Sequence, residues 1–328
     1  MERNELQTIC YLSDAELPSW FSKAASAKEL LREKGVGMNC GVEYTHFPLF
    51  RDIAPYSRYT HSLGVAKIVY RFSRDPKQTL AGLYHDIASP CFAHVIDFLR
   101  GDYLKQEATE KGTSEIIANS KDIKDLLSFL NLSVKEIDDY HLYPIADNDS
   151  PKLSADRLEY TLSNAMNLLC LNKREAQSLY DAVSLLPCGE LGFQDEKKAY
   201  RFASIALTLG RIYCCDEDRY SMEILARLLK KAMAMRIISE LDLLGTEEKV
   251  IAKLLVSPLK KEWNDFCAME ALEKRLVGGE GWIRINAKKR YIDPLVGTKR
   301  LSSINEDFAK EKEIYLKEAY SVYLRKKA

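Results

Sequence analysis

The chain has 328 residues, 46% of them apolar and 29% charged, a globular composition that excludes disorder, collagen and coiled-coil rods. Its 48 basic residues balance 48 acidic ones, which argues against a protein that holds nucleic acid through its overall field. No apolar run reaches the roughly 18–20 residues of a membrane span, and the charged start lacks the apolar stretch of a signal peptide, so a soluble, cytoplasmic protein with no membrane partner is expected.

In chain order, Ser13 with Glu16 has the form of a capping box, in which serine and glutamate satisfy each other's end of a helix N-terminus. Leu63, Ala66, Val69 and Tyr70 form a helical apolar stripe. Asp75 before Pro76 reads as an N-cap followed by proline at the first helical position, and predicts a helix from 76 towards 87. Ser133 with Glu136 repeats the capping box. Ile224, Leu225, Leu228, Leu229 and Ala232 mark a long helix near 218–241. After Gly278, Gly279 and Gly281, the alternation of Ile283 and Ile285 with Arg284 and Asn286 predicts a short β hairpin near 281–293. Phe308, Tyr315 and Val322, spaced by seven, predict a closing helix. The expected fold is all-α, or mostly α, with that one small β element. Residues 1–175 would form the core, with 176–328 a helical extension packed on it. The eight cysteines include no C-x-x-C pair, so neither a zinc ribbon nor a redox motif is expected, and the thiols fit a reducing compartment.

Only five histidines occur, three of them between positions 61 and 94. His85 and Asp86 end an apolar helix, and His61 starts the helix before it. Antiparallel packing would therefore bring His61 level with the His85–Asp86 pair, and Asp156 on a later helix is the natural fourth member. Two imidazoles and two carboxylates suit one divalent manganese, iron, cobalt, nickel or zinc ion better than magnesium or calcium. A His–Asp neighbour pair alone fits equally well an imidazole that hydrogen-bonds a helix end.

The order and spacing of Arg58 and His61, then His85, Asp86, His94 and Asp97, then Asp156 and Tyr160 resemble the HD-domain metal-dependent phosphohydrolases, closest to their deoxynucleoside triphosphate triphosphohydrolase-like branch, over roughly residues 40–170. The resemblance implies an all-helical HD core with metal held by His61, His85, Asp86 and Asp156. It places Arg58 on substrate phosphate, the alternative being a salt bridge, and Tyr160 and Asn164 against the nucleotide. It also makes His94 and Asp97 catalytic pocket residues, His94 either giving a proton to the leaving oxygen or orienting a ligand. Three departures stand out: Ser89 and Gln106 replace histidines, and Asn164 replaces an aspartate. Glu107 or Glu110 would then be the replacement general base. Lys288, Lys289 and Arg290 read either as a solvated turn or as a phosphate-binding flap. His94 and His141 are too poorly spaced to complete a second metal site.

The implied activity is metal-dependent hydrolysis of a small phosphate ester or anhydride, a nucleotide being the best fit. The alternative is a catalytically degenerate HD domain that binds a nucleotide as a sensor. The sequence leaves base, sugar, phosphate number and homo-oligomerisation open.

Overall fold

A computed structural model describes residues 16–100 and 112–327. Ser13, Cys10, Gln106, Glu107 and Glu110 lie outside the described residues. The described chain is mostly α-helical with a few short strands, and none of its helices is long and apolar enough to cross a membrane.

Helix Arg58–Ser73 starts at Ser57, whose side chain accepts from the Thr60 N–H, and ends at Arg74 in the left-handed region (φ 54°). Asp75 then caps helix Pro76–Tyr84 by accepting from the Lys77 N–H at 2.9 Å. This helix stops three residues earlier than the sequence predicts, because the chain tightens into short turns in which Ile87 N–H reaches Tyr84 O and Ser89 N–H reaches Asp86 O. The two helices fold back on one another, and helix Ala155–Leu168, capped by Ser154, crosses the first of them at Gly64. A Cβ on Gly64 would lie 2.5 Å from Glu159 Cγ, so glycine sets the distance between these two helices. Ser133 and Glu136 do form a capping box, on a single 3-10 turn.

The long helix expected near 218–241 runs over Asp216–Ala234 and follows helix Glu196–Ile212 after a short turn. No hairpin forms at 281–293. There the backbone is held by side chains from helices and from the turn between two of them: Ile285 O accepts from Arg219, Lys288 O from Cys214 Sγ, and Arg290 exchanges hydrogen bonds with Tyr315 Oη. Only Ile283 makes a β-bridge, to Leu324. The strands lie elsewhere. Val183–Leu185 pairs antiparallel with Leu191–Phe193, which runs parallel to Leu295–Val296, itself antiparallel to Lys299–Arg300. Leu272–Arg275 pairs antiparallel with Tyr323–Lys326. The closing helix spans Glu306–Lys317 and excludes Val322. Lys289 ends it, its ammonium donating to the carbonyls of Tyr315 at 2.7 Å, Leu316 at 2.8 Å and Glu318, as a cation at a helix C-terminus should.

The main hydrophobic core extends in sequence from Cys40 to Leu324, so residues from both halves enclose the same interior. A second cluster gathers Phe21, Ala24 and Leu30 against Leu80, Leu83 and Tyr84.

Candidate metal centre

The fold brings His61 and His85 together, their ring centroids 5.2 Å apart. One ligand atom from each of His61, His85 and Asp86 can be chosen so that all three lie within 4.8 Å of one another, the one such group among the described residues. Asp156 joins them from the start of its own helix, with Oδ1 3.0 Å from His61 Nε2 and 3.7 Å from His85 Nε2. His85 Nε2 lies 3.5 Å from Asp86 Oδ2. Ligand bonds of about 2.0–2.2 Å set at tetrahedral or right angles separate neighbouring donor atoms by roughly 2.8–3.6 Å, close to the separations of 3.0, 3.5 and 3.7 Å here, so the donor set fits a divalent metal ion.

The ring orientations have identifiable causes. His85 Nδ1 sits 2.8 Å from Gly82 O, which requires the proton on Nδ1 and turns the Nε2 lone pair toward the cluster. His61 Nδ1 lies 2.5 Å from Glu159 Oε2, leaving its Nε2 on the ligand side. Glu159 is completely buried, and it also accepts from Tyr56 Oη and, at 2.7 Å, from Ser163 Oγ. Asp86 is held by Arg58 on Oδ2, the oxygen that also faces His85, and by Ser89 Oγ on Oδ1 at 3.1 Å. The charge balance agrees with the geometry. Burial opposes charge on His61, yet hydrogen bonds to Asp156 and Glu159 overcome it and raise its pKa to about 10. Burial likewise opposes ionisation of Asp86, but Arg58 and the two imidazoles hold its carboxyl well below the usual range. The converging carboxylates thus favour positive charge at their centre.

These groups open on a cavity of about 820 Å³ that is also lined by Arg58, His94, Tyr140, His141, Lys152, Arg157, Tyr160, Asn164, Tyr213, Asp218, Lys288 and Arg290. Arg58 is buried and paired with Asp86, not with a surface acid. Of the basic run, Lys288 and Arg290 face the cavity while Lys289 caps the closing helix. His94 Nδ1 contacts Asp97 Oδ2 at 2.9 Å, and its Nε2 lies 3.5 Å from Arg290 Nη2. Burial lowers the His94 pKa, with Arg290 and Arg58 adding to the effect against Asp97. With the imidazole neutral and Nδ1 donating to Asp97, Nε2 is a proton acceptor. Asp97 is fully buried against His94. Tyr160 packs edge-on to Tyr213, and Asn164 Nδ2 donates to Tyr213 Oη at 2.8 Å.

His141 lines the cavity but holds Asp139, while His46 is exposed and does not line it. Two positioning groups escape a reading of the sequence. Glu159 stands three residues after Asp156, a helical neighbour position that was the available signal. Ser89, a departure when compared with the family, turns out to orient Asp86.

Residues 58–162, which contain all four candidate ligands, match the HD domain family model. The chain is 28% identical over 203 residues to an uncharacterized protein, YdhJ, of Bacillus subtilis, covering 61% of this chain and 62% of the relative. It is also 28% identical over 209 residues to the metal-dependent phosphohydrolase cns2 of Cordyceps militaris, covering 62% and 58% respectively. The matched region thus takes in about 60% of the length of either relative. Residues 58–162 are thus similar to an HD domain, the His/His/Asp cluster lies inside that matched segment, and one relative is a metal-dependent phosphohydrolase.

Proposed function

We propose that this chain is a metal-dependent phosphohydrolase acting on a phosphate ester or anhydride, with a nucleotide as the best-fitting substrate and His61, His85, Asp86 and Asp156 as the metal ligands. The observation that carries the reading is that the His61–His85–Asp86 cluster and the cations Lys288 and Arg290 line one cavity. A divalent ion held by that set would supply Lewis-acid polarisation of a phosphoryl oxygen and lower the pKa of water. The chain's own residues supply the rest. Arg58 and Ser89 fix Asp86, Glu159 and Gly82 fix the two imidazoles, and Arg58, Lys288 and Arg290 offset phosphate charge. His94 Nε2 takes the proton of the attacking water, with Asp97 holding the ring in place. Asn164 and Tyr160 bound the space left for the rest of the substrate.

A metal-supplemented screen of nucleotides and phosphate esters, with products resolved by mass, tests this reading. Wild type is expected to release phosphate or polyphosphate. Asp86→Ala should lose both metal content and turnover, the latter by about 10³-fold or more, since a polarising ion contributes several kcal/mol to the transition state. Full metal content in Asp86→Ala would sink the ligand set. Nucleotide binding without any turnover would replace the enzyme with a nucleotide sensor.

A further inference from the structure

Asp218 differs from three other buried acids of this protein. Glu159 accepts from Tyr56 and Ser163, Asp97 lies against His94, and Asp293 accepts from the Ser302 N–H, Ser302 Oγ and Lys312 Nζ. Asp218 is 9% exposed and lines the cavity, yet its carboxyl accepts no hydrogen bond from any described residue. Its neighbours on the cavity surface include Cys40, Tyr213 and, one turn further along its helix, Met222. These are apolar or weakly polar groups. Burial pushes the Asp218 carboxyl well above the usual range, with Glu217 adding to the shift. An unpaired buried carboxyl is costly in such surroundings, and a ligand donating to it recovers part of that cost. The backbone fixes its place, because Cys215 caps helix Asp216–Ala234 and sets Asp218 in the first turn.

We propose that Asp218 is a specificity-determining residue that selects substrates whose non-phosphate end presents an N–H or O–H donor, a nucleobase amino edge or a sugar hydroxyl. The proposal rests on the phosphohydrolase reading for the identity of the substrate's other end. An ionised phosphate carries no N–H or O–H donor to offer this carboxyl, so the part of a nucleotide that can meet it is the non-phosphate portion. A donor matched to a charged or buried acceptor discriminates strongly against an analogue lacking it, because the site's polar group is then left unpaired.

The test uses substrate pairs differing by one donor: guanosine against inosine nucleotides, adenosine against purine-riboside nucleotides, and ribose against 2′-deoxy and 3′-deoxy forms. Both kcat/KM and equilibrium binding are measured on the metal-loaded full chain for wild type, Asp218→Leu and Asp218→Asn, the asparagine variant guarding against a folding failure of the leucine one. Wild type should prefer the donor-bearing member of at least one pair by roughly 10- to 100-fold, and that ratio should fall towards one in Asp218→Leu. The pair affected tells base from sugar. Ratios near one for every pair in wild type, or ratios unchanged in both variants, would overturn the role of Asp218 while leaving hydrolysis intact. Binding selectivity without turnover would instead overturn the hydrolase reading and keep Asp218. No binding of any nucleotide would overturn both the nucleotide reading and this one.

Discussion

Two walls of one cavity are built on different terms. On the metal side, the ligand side chains are already held: Glu159 and Gly82 O hold the imidazoles, and Arg58 and Ser89 hold Asp86. On the wall from helix Asp216–Ala234 and its surroundings, Asp218 accepts nothing and Asn164 Oδ1 is buried without a partner. Preorganised ligand geometry requires donors fixed before the ion or substrate arrives, whereas selectivity requires polar groups whose partners come with the substrate. Under the proposed function, the first wall carries the chemistry and the second the recognition.

His94 sits between the two, and breaking it should have the largest effect. Its Nδ1 is tied to Asp97 and its Nε2 lies 3.5 Å from Arg290. If it moves a proton, His94→Asn should lower kcat by about 10²–10⁴-fold with metal content retained, as read by steady-state kinetics beside elemental analysis. Because its pKa is lowered from 6.5 by burial, the wild-type rate should stay level above neutral pH and fall only on the acid side as the imidazole protonates. Turnover and pH profile identical to wild type in the asparagine variant would remove His94 from the reaction.

The metal-side wall was the more legible in the sequence, for a physical reason. His61 lies on helix Arg58–Ser73 and His85 and Asp86 directly follow helix Pro76–Tyr84, the two helices being joined by a left-handed Arg74 and a capping Asp75, so short-range signals bring them level. Asp156 came with its motif. Asp218 and Arg290 owe their places to contacts between residues far apart in the chain, such as Lys288 O with Cys214 and Gly210 beneath Arg290 O, which no local pattern encodes. The alternation at Ile283 and Ile285 misled because Arg219 takes the Ile285 carbonyl that a hairpin would have paired. The seven-residue spacing at the end misled because Lys289 captures the helix carbonyls before Val322 is reached. The strand pairs of the second half carry only two to four residues each, too short for periodicity to register.

A smaller effect tests whether the metal side is held from behind. Glu159→Gln keeps the shape of the side chain but replaces the acceptor facing His61 Nδ1 with a neutral amide. Outer-shell partners of metal-bound histidine typically contribute 10- to 100-fold in metal affinity. A metal titration of the variant should therefore show binding weaker by that factor, with the protein folded and activity recoverable at high metal concentration. Metal affinity equal to wild type would show that Glu159 serves packing alone.

The smallest effect concerns a buried acid near Glu247 and Asp218. Glu43 Oε2 is buried without a partner, and burial together with nearby Glu247 raises the Glu43 pKa from 4.5 to about 8. Glu247 itself is better placed, accepting from Gly37 N–H at 2.9 Å, Phe92 N–H at 3.1 Å and Tyr44 Oη at 2.7 Å, and it supports the backbone that leads to His94. Between pH 4.5 and about 8 the folded protein keeps a proton on Glu43 that the unfolded chain has released. The native state then binds more protons, so the stability linked to this group is complete below 4.5 and is lost as pH rises through 8. Denaturant unfolding at pH 5.5 and 7.5 should show wild type losing stability with pH, at no more than about 1.4 kcal/mol per pH unit from one proton. Glu43→Gln, which mimics the protonated acid at every pH, should lose less over the same interval. Its stability relative to wild type should therefore rise from pH 5.5 to 7.5, and a constant difference between the two proteins would mean that Glu43 is ionised in the fold.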